Sequence, residues 1–123
     1  MLSPLWYRVI NKTSIEGGYA MGKFVEIAKI GDLEPGEVIG CEVEGQPIAL
    51  FNIEGEYFAI EDRCTHRDAQ LSLGEVVGEV VVCPFHAAEF SIKTGDALTQ
   101  PATEPVRTYR VRVEGESIMV ELD

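Results

Sequence analysis

The chain has 123 residues, 46% of them hydrophobic, and sets 10 Lys+Arg against 21 Asp+Glu for a formal net charge of −11. That length makes one ordinary domain whose core needs no disulfide staples, and no apolar run reaches the roughly 18–20 residues of a membrane span. The acidic balance argues against nucleic acid and anionic membranes as partners, because affinity for both comes from clustered Lys and Arg.

The chain opens on MLSPLWYRVI, residues 1–10, an apolar start interrupted by Ser3, Pro4 and Arg8. It has no basic n-region and no small-residue cleavage pattern, so it does not read as a signal peptide. It reads as an extra strand or an arm that Trp6 and Tyr7 could dock on the domain. A second reading starts from Glu16-Gly17-Gly18, upstream of Met21. Codons for Glu-Gly-Gly can spell a purine-rich ribosome-binding site, which would make Met21 the natural start. On that reading residues 1–20 are an extension or leader and 21–123 are the domain. Codons without a GGAGG-like run would remove the motive for it.

From Lys23 onward the pattern is β. Short runs rich in Val, Ile, Phe and Tyr are expected as strands at Phe24–Ile30, Val38–Val43, Pro47–Ile53 and Tyr57–Ile60. Gly31-Asp32, Pro35-Gly36, Glu44-Gly45 and Glu54-Gly55 separate them as turns. The pattern resumes with Val80–Val82 and Glu89–Ile92, then a turn at Thr94-Gly95-Asp96. Val106–Val113 alternates, with Tyr109, Val111 and Val113 on one face and Arg110 and Arg112 on the other. Glu114-Gly115-Glu116 turns it into Ser117–Leu122. No stretch carries a long 3.6-residue period, so the expectation is an all-β sandwich or barrel-like domain. Cys41 falls inside an expected strand and reads as core or edge filling.

One segment interrupts this pattern. Cys64-Thr65-His66 is followed, after sixteen intervening residues, by Cys83-Pro84-Phe85-His86. Both histidines of the chain and two of its three cysteines fall in this C-x-H-x16-C-x2-H pattern. Two soft thiolates and two imidazoles brought together from two loops make a metal site, with Cys64, His66, Cys83 and His86 as its ligands. A structural zinc also takes Cys2His2. In common zinc fingers, however, cysteine pairs with cysteine and the histidines lie on a helix. One Cys and one His from each of two loops, in β context, suits a [2Fe–2S] cluster with two Cys on one iron and two His on the other.

At these residues the chain resembles the Rieske family. It is most similar to the soluble Rieske-type ferredoxins of bacterial ring-hydroxylating oxygenase systems, from at least Phe24 to Leu122. The matching strings are Cys64-Thr65-His66, Leu71-Ser72-Leu73-Gly74, Cys83-Pro84-Phe85-His86 and Thr94-Gly95, and Pro101 matches a third loop that covers the cluster. The resemblance implies an antiparallel β-sandwich with a small cluster-binding subdomain at its tip. In it Cys64 and Cys83 hold the buried iron, and His66 and His86 the outer iron near solvent. The family usually has Gly straight after the second His, where this chain has Ala87. A left-handed backbone kept there would strain Ala87 by about 1–2 kcal/mol; otherwise the loop takes a slightly different shape.

High-potential Rieske proteins of respiratory complexes carry a disulfide between the loops, at positions matching Ala69 and Phe85 here. They also carry Ser and Tyr hydroxyls to the cluster, at positions matching Ala88 and Phe90. Neither device is present, so the resemblance implies a potential near the low end of the Rieske range, about −150 mV. With both histidines committed, none is left for a mononuclear iron site or for acid–base chemistry. The expected role is a cytoplasmic, monomeric, one-electron carrier. It would be loaded by a flavin-dependent reductase and discharged transiently by an oxygenase. The alternatives are the small Rieske subunit of an assimilatory nitrite reductase and a structural zinc module.

Overall fold

The computed structural model describes residues 8–10, 23–65, 69–84, 87–100, 102 and 104–122. Its strands are β1 (Arg8–Ile10), β2 (Lys23–Lys29), β3 (Val38–Val43), β4 (Gln46–Ile53), β5 (Glu56–Glu61), β6 (Glu75–Val77), β7 (Val80–Val82), β8 (Glu89–Ser91), β9 (Thr108–Tyr109), β10 (Val111–Glu114) and β11 (Ser117–Leu122). Short 3₁₀ turns stand at Ile30–Asp32 and Leu71–Leu73. Three sheets result: a five-stranded one in the order β1-β3-β4-β5-β9, and two three-stranded ones, β10-β11-β2 and β6-β7-β8. The β3–β4 and β4–β5 hairpins close on Glu44-Gly45 and Glu54-Gly55, with positive φ at all four residues. That geometry matches the twist of the paired strands.

The sandwich is built around β4, which is apolar on both faces. Ile48 and Leu50 enter one core with Val25, Ile27, Val120 and Leu122 of the β10-β11-β2 sheet. The intervening Ala49, Phe51 and Ile53 enter a second core with Leu71, Val81, Phe90 and Ile92. Successive side chains of a strand point to opposite faces, so the run PIALFNI, polar only at Asn52, is what a strand between two layers requires. The small β6-β7-β8 sheet thus shares its core with the main sheet.

The Val106–Val113 segment departs from the expected single strand. It breaks at Arg110: Tyr109 pairs with Ala59 in the five-stranded sheet, and Val111 pairs with Val120 in the other. Tyr109 is buried, but Val113 is 46% exposed. The alternation is real, but the chain changes sheets in the middle of it. Strand β6 was not expected, and Arg8–Ile10 adds a strand running parallel to β3. Trp6, Tyr7 and Met21 lie outside the described residues.

Candidate metal centre

Two loops of the second core carry the cysteines. The first leaves β5 and the second leaves β7. Each closes in the same way: the Cys64 amide donates to the Ala69 carbonyl at 2.9 Å, and the Cys83 amide to the Ala88 carbonyl at 2.7 Å, five residues on in both cases. Both thiols are buried, 2% and 1% exposed, in one apolar cluster with Ala69, Leu71, Val81, Ala88 and Phe90. None of the three cysteines is in a disulfide. Cys41 lies in the other core, with Val25 and Ile118, which separates it from the pair.

The supporting strings have geometric reasons. At Gly74 a Cβ would lie 1.9 Å from the Val82 carbonyl oxygen, so only glycine lets the exit of the first loop pass over the strand that leads to Cys83. Gly95 has φ +81°, and a Cβ there would meet the Val106 carbonyl at 2.4 Å. Ala87 keeps the left-handed backbone, with φ 58°, and its amide donates to the Cys83 carbonyl at 3.1 Å. The strained alternative is therefore the one this loop adopts.

A third segment joins the two loops. The Thr65 hydroxyl donates to the Glu104 carbonyl at 2.7 Å. The Glu89 amide donates to the Thr99 hydroxyl at 2.9 Å, and the Leu98 amide to the Glu89 carbonyl at 2.7 Å. Ala102 is buried in the same core as the cysteines. The neighbouring Pro101 lies outside the described residues, as do His66, Arg67, Asp68, Phe85 and His86. Among the described residues no group of three or more His, Cys, Asp or Glu side chains gathers in metal-holding geometry.

One carboxylate near the site was not singled out by the sequence. Asp62, two residues before Cys64, is buried and accepts hydrogen bonds from Ser72 and Gln70. Its one signal in the sequence is its place at the end of an apolar strand that leads straight into a cysteine loop.

A pair of undisulfided thiols in a dry, apolar site fits a group that binds thiolates and compensates their charge with metal. The comparisons agree. A naphthalene 1,2-dioxygenase system ferredoxin component from Pseudomonas putida is 38% identical over 100 residues, covering 81% of this chain and 96% of that protein. The solved complex of reduced oxygenase and oxidized ferredoxin in carbazole 1,9a-dioxygenase contains a chain that is 31% identical. It superposes with a TM-score of 0.77, covering 80% of this chain and 92% of that one. A putative nitrite reductase small subunit has a TM-score of 0.67 at 26% identity, covering 80% of this chain and 97% of that one. The Rieske [2Fe–2S] domain family matches residues 23–110. Two cysteine loops of one design, a glycine that only their close approach explains and a match across most of the chain agree: this protein belongs to the Rieske [2Fe–2S] family and carries a cluster of that type.

Proposed function

We propose that this chain is the ferredoxin component of a ring-hydroxylating oxygenase system, a one-electron carrier and not itself a catalyst. The observation that carries the reading is the similarity to a ferredoxin solved in complex with its oxygenase, together with a dioxygenase-system ferredoxin matched over nearly its whole length. Cys64 and Cys83 hold the inner iron, and His66 and His86 the outer iron. The two buried thiol positions and the paired loop closures support the cysteine half of that assignment. The spacing of both histidines to those cysteines supports the other half. When bound, the cluster takes up and releases one electron. The protein's part is to hold it in an apolar shell: Leu71, Val81 and Phe90, all fully buried, exclude water from the cysteine side.

In this reading a flavin-dependent reductase loads the carrier and an oxygenase discharges it, both transiently, with the carrier a monomer in the cytoplasm. Among the described residues no helix is long and apolar enough to cross a membrane. Residues 21–123 form the Rieske domain and residues 1–20 an extension to it. The likeness to a nitrite reductase small subunit keeps a second reading open, that of a fixed subunit of a larger enzyme.

Mixing the reduced protein anaerobically with a ring-hydroxylating oxygenase, and following the visible absorbance, tests the choice. Reoxidation by the oxygenase well above the background rate is expected. Reoxidation at background rate, with stable copurification of a sirohaem subunit, would establish the second reading instead.

A further inference from the structure

Asp62 stands at the junction of β5 and the first cysteine loop, 2% exposed. Its Oδ1 accepts the Ser72 amide at 2.7 Å. Its Oδ2 accepts the Ser72 hydroxyl at 2.6 Å and the Gln70 side-chain amide at 3.5 Å. Its own amide donates to the Pro47 carbonyl at 3.0 Å, which fixes it to β4. The carboxylate is thus joined to both Ser72 and Gln70. Among the described residues no cation is paired with it; the adjacent Arg63 faces Glu61 at 3.8 Å.

The two loops are held at their stems by different means. The second is flanked by paired strands, with Val82 opposite Glu89. The first leaves a strand but returns as the 3₁₀ turn Leu71–Leu73. Its entry and exit are joined through one carboxylate, from Asp62 to Ser72. Losing the clasp would leave buried polar groups without partners, which is costly.

We propose that Asp62 is a positioning residue for the cluster: its carboxylate clasps the loop that carries Cys64, tying the entry of that loop to its exit at Ser72. This rests on Cys64 being a ligand. Asp62→Asn keeps the shape. Its carbonyl oxygen can accept the Ser72 amide, and its NH₂ can donate to the Ser72 hydroxyl, so the clasp persists. Asp62→Ala removes the clasp outright, and Ser72→Ala removes one of its donors and loosens it.

The test is the rate at which a chelator bleaches the visible absorbance of wild type and the three variants. Asp62→Ala and Ser72→Ala are each expected to bleach several-fold faster than wild type, and the shape-conserving Asp62→Asn to bleach near the wild-type rate. An Asp62→Ala protein that bleaches at the wild-type rate would overturn the proposal. So would a Ser72→Ala protein that bleaches at the wild-type rate, and that arm decides the matter if the Asp62→Ala variant assembles no cluster. Wild-type protein without a Rieske signal would instead overturn the ligand reading on which the proposal rests.

Discussion

Ala87 shows how much one side chain can cost where the backbone is fixed by its neighbours. Its φ of 58° is held by the hydrogen bond from its amide to Cys83 and by the bond between Cys83 and Ala88. A Cβ in that region costs about 1–2 kcal/mol. Replacing it with glycine removes the strain but adds freedom to the unfolded chain, worth about 0.4–1 kcal/mol. The net is a stabilisation of about 0.5–1 kcal/mol for Ala87→Gly, or a thermal midpoint about 2–4 °C higher by calorimetry on the cluster-loaded protein. A lower midpoint would show that the methyl group packs usefully.

Ala88 and Phe90 are fully buried in the core that holds both cysteines, and neither side chain can donate a hydrogen bond. Hydroxyls at these positions would stabilise the reduced, more negative cluster by roughly 1–3 kcal/mol each at best, or roughly 45–130 mV. The Ala88→Ser, Phe90→Tyr double variant should therefore have a more positive potential by voltammetry, moderated by the room Tyr must find where Phe90 packs. Unchanged or lowered potentials in folded, cluster-bearing variants would mean that the second loop presents other residues to the cluster.

The two cysteine loops were legible because all the histidine and most of the cysteine is concentrated there, in two pairs. Asp62 was not legible, because one carboxylate among many looks like surface until its burial is known.

At the scale of elements, strands were legible where they stay in one sheet and end in a turn. Val38–Val43, Glu89–Ser91 and Ser117–Leu122 are examples. Period-two alternation cannot register a change of sheet, so the break at Arg110 was invisible although its two halves pair with different partners. Strand β6 was missed because Glu75–Val77 is too short to show a period; its pairing with β7 and the close pass of Gly74 define it.

The strand Arg8–Ile10 covers the outer edge of β3, setting Arg8 opposite Cys41 and Ile10 opposite Val43. An uncovered edge offers unpaired amides and carbonyls to other chains. A chain begun at Met21 should still assemble its cluster, since the family match starts at residue 23. Its β3 amides should exchange faster with deuterium, and it should associate as concentration rises. Exchange and sedimentation identical to those of the full chain would show that the edge needs no cover.

At the scale of the whole molecule, the charge of −11 bears on the carrier's need to meet two partners in turn. Two thiolates cancel the +2 of the oxidised cluster core, and one added electron takes the total to −12. Charge steering speeds encounter without a tight interface that would slow release. Turnover of the reconstituted system should fall as ionic strength rises through and beyond 0.15 M, where screening acts within about 8 Å. A flat profile, with electron transfer limiting, would argue against steering.

The ligand set is the claim on which the rest depends, and electron paramagnetic resonance of the reduced protein reads it most directly. Wild type should give a Rieske signal, with the low average g of mixed His and Cys ligation, and Cys64→Ser and Cys83→Ser should each abolish it, since a hydroxyl is a poor replacement for a thiolate. A Rieske signal that survives Cys83→Ser, or a wild-type protein colourless in the visible as zinc thiolates are, would contradict the account.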